Sequence, residues 1–131
     1  MDVRPASEVS ASCPLKRCAT LRYMPDYIQV STATNARDEA LALAESAVRS
    51  RLAGSAQIVG PVACVFWHLG ELGTAEEWKI LLLTTADRYP ALEQHLISNH
   101  PWDNPEITGV ELVVGSTACL DWLRTSTAGP G

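Results

Sequence analysis

The sequence predicts an α+β domain, on three observations. Asp26–Thr32 alternates apolar and polar residues, as a half-buried strand does. Ala56–Leu69 and Glu77–Thr85 are rich in β-formers and are separated only by Gly70–Glu76, which reads as a long β-hairpin. Between the first strand and the hairpin, Ala40, Leu41, Ala44, Ala47, Val48 and Leu52 recur at helical spacing.

Each element has its own signals. Thr34 or Asn35 is placed to cap the first helix, with Asp38 and Glu39 in its first turn and Gly54 at its end. A second helix is expected over Asp87–Asn99, because Pro90 is tolerated in a first turn and Tyr89, Leu92 and Leu96 form an apolar stripe. Pro101 and Pro105 bracket a stiff connector. Glu106–Val114 reads as a further strand and Thr117–Ser126 as a short closing helix. The order β-α-β-β-α-β-α is the split β-α-β, ferredoxin-like pattern. Its sheet carries helices on one face, and no further segment is left to cover the other. Self-association is the physical solution. The expected domain spans residues 26–126. Residues 1–25, with Pro5, Pro14 and Pro25 and little periodicity, read as a flexible extension, and residues 127–131 as a flexible tail.

Composition narrows the function classes. The chain has 131 residues, 47% hydrophobic and 19% charged, which is enough apolar material for a core. A net charge of -5 without a basic run argues against nucleic-acid binding. No apolar stretch is long enough to span a bilayer as a helix, and the N-terminal residues lack a secretory apolar region, so no membrane association and a cytoplasmic location are expected. Cys13, Cys18, Cys64 and Cys119 suggest no disulfide framework. Cys13 and Cys18 lack the further ligands a soft-metal site needs.

The most specific string is His100-Pro-Trp-Asp-Asn-Pro-Glu-Ile107. With Thr32-Ala-Thr-Asn35, Arg51-Leu-Ala53, Val65-Phe-Trp67 before Gly70, and Leu120-Asp-Trp-Leu123, it resembles the CutA divalent-cation-tolerance family over nearly all of Asp26–Ser126. The resemblance implies a tight homotrimer of ferredoxin-like subunits, related to the PII signalling proteins, whose hairpins reach across to neighbours and whose clefts between subunits take small ligands. It also implies a link to copper and other divalent cations. The chain departs from the family at several positions. Ser55 stands where the family has a cysteine proposed as a copper ligand, so a divalent cation is the candidate cofactor and copper is disfavoured. Trp67-His68 replaces an aromatic pair, and Leu69 replaces an acidic residue. Thr84 stands in place of a lysine and Cys119 in place of a tyrosine.

The candidate ligand-binding residues are Ser55, Trp67, His68, Thr84, His100, Trp102, Asp103, Glu106 and Trp122. Imidazole titrates near neutral pH, so His100 suits acid–base or metal chemistry; its plainer role is to hold the connector through hydrogen bonds. Trp67, Trp102 and Trp122 offer stacking surfaces, and equally pack interfaces. His68, paired with His100 or Glu71, and His100 itself are the candidate metal ligands. Asp103 and Glu106 are hard oxygen donors that otherwise face solvent or bond backbone amides. No catalytic motif is present, and a non-catalytic binding protein is favoured. The alternative is an enzyme on the same scaffold, with His100 as acid/base and Glu106 as its orienter in a rebuilt cleft.

Thiolate favours Cu(I) far more than a hydroxyl does. Ser55→Cys is therefore expected to raise Cu(I) affinity roughly 10- to 100-fold in a competition titration. Tight Cu(I) binding by the unsubstituted chain, unaffected by loss of Cys13 and Cys18, would contradict the reading.

Overall fold

The computed structural model of the protein describes residues 26–129. The expected N-terminal extension, residues 1–25, and residues 130–131 of the tail lie outside them. The element order is β1 (Tyr27–Thr34), α1 (Arg37–Arg49), β2 (Ser55–His68), β3 (Glu71–Thr85), α2 (Tyr89–Asn99), β4 (Thr108–Glu111) and α3 (Thr117–Ser126). The strands form one four-stranded sheet in the order β2-β3-β1-β4, antiparallel throughout. This is the α+β split β-α-β arrangement that the sequence predicts.

The core lies between the sheet and two helices. Val30 of β1 and Ile80 and Leu82 of β3 meet Ala40, Leu43, Ala44 and Ala47 of α1 and Leu92 and Leu96 of α2. Alanine at three of the four buried α1 positions lets the helix backbone approach the strands closely. Leu41, expected in this stripe, is exposed instead, and Leu43 takes the core position. Cross-strand partners share a face, so Gln29 with Leu83 and Ser31 with Leu81 belong to the opposite face, away from α1 and α2.

Both ends of α1 depart from the expectation. Its N-cap is Ala36, without a side-chain bond, because the candidate caps are engaged elsewhere. Thr34 Oγ1 donates to the Ala36 carbonyl at 2.8 Å, and Asn35 Oδ1 accepts from a tryptophan of the connector. The helix ends before Gly54. Arg51 adopts the left-handed conformation (φ 59°), and the N–H groups of Arg51 and Leu52 bond the carbonyls of Val48 and Ala47 at 2.9 and 3.0 Å, a Schellman closure. Gly54 serves packing: a Cβ there would stand 2.7 Å from Leu123 Cδ1.

The hairpin is longer than predicted. β3 begins at Glu71, so Leu69-Gly70 alone forms the turn, with φ of 53° and 82°. Pairing of β1 with β3 ends at Trp78. Beyond it, Val62–His68 and Glu71–Glu77 form a free two-stranded ribbon, about 20 Å long at roughly 3.3 Å per residue. A register shift between Val59 and Val62, around Gly60-Pro61, marks where the ribbon leaves the sheet. The Glu71–Glu76 stretch lacks the apolar alternation that identifies a strand packed on its own core, which is why it reads as a loop.

β4 is shorter than Glu106–Val114: it runs antiparallel to β1, which begins at Tyr27, so Val113 and Val114 lie past that start, exposed and unpaired. α2 starts at Tyr89 rather than Asp87, with Arg88 as N-cap. Thr127, placed in the C-terminal tail by the sequence, is buried and bonds the Leu123 carbonyl at 2.8 Å as it closes α3.

Leu123 is fully buried, so a side chain added at Gly54 has to displace it within a packed environment. Gly54→Val should therefore lower unfolding free energy by about 1–3 kcal/mol, as overpacking does. Chemical denaturation monitored by circular dichroism measures it, and a midpoint equal to that of the unsubstituted chain would refute the close packing of α3.

Candidate functional site

The nine sequence-predicted site residues fall into three places. The first is the connector after α2. His100 is the C-cap of α2, and its Nδ1 accepts the backbone N–H of Trp102 at 3.1 Å. The ring proton therefore belongs on Nε2, which lies 3.1 Å from Thr32 Oγ1 on β1. The imidazole and the Trp102 indole stand 5.1 Å apart at 52°. Trp102 in turn donates its indole N–H to Asn35 Oδ1 at 2.7 Å. Thr32-Ala-Thr-Asn35 and His100-Pro-Trp102 are thus one unit, joined by bonds between residues 67 and 68 positions apart. Asp103 and Glu106 are exposed beside it.

Burial pushes the His100 pKa below its ordinary value, while the Ala33 backbone and the Glu39 carboxylate pull it partly back. Both ring nitrogens are engaged, so the side chain acts as a pin between β1 and the connector. A cation at His100 would have to displace one of these partners.

The second place is the start of β2. Ser55 pairs with Leu83, which sets it on the face away from α1 and α2. Thr84 follows Leu83 and points the other way. It is fully buried, and its hydroxyl donates to the Leu52 carbonyl at 2.7 Å. Within one subunit Ser55 and Thr84 therefore lie on opposite faces of the sheet. Trp122 of α3 packs near Gly54, beside Ser55.

The third place is the ribbon tip, where Trp67 pairs with Leu72 and His68 with Glu71. The structure thus sets His68 opposite Glu71, far along the ribbon from His100. Among the described residues no three His, Cys, Asp or Glu side chains converge on a common point. The Cys64 thiol, near the base of the ribbon, is pushed up by burial and then by the Glu77 carboxylate that bonds it, which disfavours the thiolate that soft metals need.

Sequence reasoning missed an open groove of about 310 Å³ between α1 and α2, lined by Glu39, Ala42, Leu43, Ser46, Asn99 and Pro101. A signal for it existed, since Glu39, Ala42, Leu43 and Ser46 recur at helical spacing. Ser46 Oγ and His95 Nε2 are 2.7 Å apart across the groove wall. Ser46 sits mid-helix, where the backbone amides serve the helix itself, and the Asn99 amide is used on the His95 carbonyl at 2.8 Å. Among the described residues this pair therefore has no oxyanion donors, and it works as a clamp between helices.

Fold and connector together define a class: an antiparallel split β-α-β domain with a protruding ribbon, whose first-strand turn is locked to a His-Pro-Trp segment. The chain belongs to the CutA1 divalent ion tolerance protein family, whose model matches residues 28–126. The divalent-cation tolerance protein CutA of Thermus thermophilus is 32% identical over 65% of this chain and 82% of its own length. That of Escherichia coli is 32% identical over 70% and 83%. The solved CutA of Synechococcus elongatus is 30% identical, with a TM-score of 0.76 over 85% of this chain and 98% of its own.

The pH dependence of stability follows from His100. Its folded pKa lies below the unfolded one, so the unfolded chain binds the proton more readily. The contribution is complete above the ordinary histidine range, about pH 6.5, and is lost as pH falls from there through the lowered folded value. His100→Asn should flatten the melting temperature over that window, in scans from pH 7.5 to about pH 5. A variant that keeps the full acid-side fall would assign it to another group.

Proposed function

We propose that the protein is a non-catalytic binding protein that works as a homotrimer, with its ligand or divalent-cation site completed between subunits. One observation carries this reading. The ribbon turns an apolar face to solvent, with Val65 68%, Trp67 75% and Leu72 64% exposed and Leu69 at the tip 89%. Val65 and Trp67 are on one side of β2 and face Thr74 and Leu72 across the ladder. A two-stranded ribbon with an uncovered apolar side is marginal alone, and a neighbouring copy supplies the missing cover.

The scattering of the candidate residues supports the same reading. Ser55 and Trp122, the ribbon tip, and the connector lie apart in one chain, and a ribbon that reaches a neighbour brings them within range of one another. The groups in reach favour hard or borderline cations over Cu(I), given Ser55 and the protonated Cys64 thiol. The membership in a family named for divalent ion tolerance supports a cation or a small cation-linked ligand as cargo.

Native mass spectrometry at micromolar concentration should give a trimer, and a persistent monomer or dimer would defeat the proposal. Trp67→Asp puts a charge on the apolar face and should shift the population toward monomer by more than about tenfold. His68→Asn, which leaves that face intact, should not.

A further inference from the structure

We propose that the groove between α1 and α2 is a ligand site of its own, complete within one chain, and that it takes a small organic ammonium: a protonated amine on a short apolar body. The groove runs along α1 from Glu39 to Ser46, about 10 Å at roughly 1.5 Å per residue. Its volume of about 310 Å³ lies at the small end of the range of ligand pockets, about 300–1,000 Å³. The buried Leu43 forms its floor. Ala42 stands exposed on one wall with only a methyl group, so α1 does not fill the space, and Pro101 faces it from the connector with a ring of fixed position.

The polar groups on the rim select the ligand. Ser46 Oγ is taken up by His95 Nε2 at 2.7 Å, which closes one end. Asn99 spends an amide N–H on the His95 carbonyl at 2.8 Å and keeps Oδ1 as an acceptor. At the other end Glu39 brings the one charged side chain of the lining. The residues three and four positions from it are Asn35, Ala36, Ala42 and Leu43, none of them basic, so no cation at helical spacing answers the carboxylate. A ligand with a cationic head and N–H donors supplies what this end lacks, while Ala42, Leu43 and Pro101 take its apolar body. A bare metal ion fits poorly. It needs several ligands, and among the described residues no three His, Cys, Asp or Glu side chains converge. An anion would meet the carboxylate head on.

The test uses the full chain in its native assembly, labelled with nitrogen-15 and on alanine and leucine methyl groups, and titrated at pH 7 with hexylammonium chloride. Hexanoate and 1-hexanol serve as the anionic and neutral counterparts of the same length. Hexylammonium should bind with a Kd on the order of 1 mM, with shift changes centred on Ala42, Leu43 and the Asn99 side-chain amide. Hexanoate and hexanol should each bind at least about fivefold more weakly, and Glu39→Gln should weaken hexylammonium by about fivefold, the worth of one exposed ion pair. Ala42→Leu, which fills the groove, should abolish the shifts. Both substitutions fall on exposed positions of α1, so the fold is kept. Signals that stay unmoved at about 50 mM hexylammonium, far above a millimolar Kd, overturn the site. So does hexanoate binding as tightly as hexylammonium, or a Glu39→Gln chain that binds hexylammonium as the unsubstituted chain does. Oligomeric state, which decides the reading of the ribbon, is measured separately and does not enter these outcomes.

Discussion

The rest of the structure depends on β1. It pairs with β3 over its whole length, Tyr27–Thr34, and with β4 through Ile28–Ser31. It contributes Val30 to the core and ends in the turn that holds His100 and Trp102. Its first residue holds the closing helix, where Arg124 Nη2 donates to Tyr27 OH at 2.8 Å and sits over the ring. Through Ile28–Ser31 it is an internal strand with partners on both sides, and the stretch beyond, which β4 leaves uncovered, is where His100 docks. The connector and the closing helix both take their positions from it.

The sequence was legible where local pattern and burial agree. The alternation of β1 and the Leu92–Leu96 stripe of α2 mark the elements that face the core, and the structure keeps them. It was illegible where a residue's partner is distant. Asn35 has the chemistry of an N-cap, and a cap was expected there; Trp102, 67 positions away, takes its oxygen instead. Arg51 has none of glycine's tolerance for a positive φ, so the helix end was placed at Gly54, whose real constraint is the Leu123 side chain. In the outer ribbon Val62–His68 read as strand, whereas Glu71–Glu76 hid its strand character, because it packs on no core of its own chain.

The candidate site divides along the same line. The motif His100–Ile107 was recognisable as a unit, but its internal logic lies in the hydrogen bonds that tie it to Thr32 and Asn35. Thr84 and Ser55 look like neighbours in a cleft until the pleat separates them onto opposite faces. A side-chain period of two is easily overlooked when residues are compared position by position with a family pattern, yet it decides which of them share a space.

The register shift at Gly60-Pro61 has a further consequence. β2 is an edge strand, and an edge with free N–H and C=O groups is a template for unwanted pairing between chains. β4, the other edge, is protected by being only four residues long. On β2 the proline and the irregular pairing interrupt the edge once, near the sheet. The outer stretch Val62–His68 has no such guard, since it carries neither proline nor an acidic or basic side chain other than His68. A newly made chain thus exposes an uninterrupted adhesive strand. Unwanted pairing through that strand grows with chain concentration, so the crowding of newly made chains sets the risk of aggregation during synthesis.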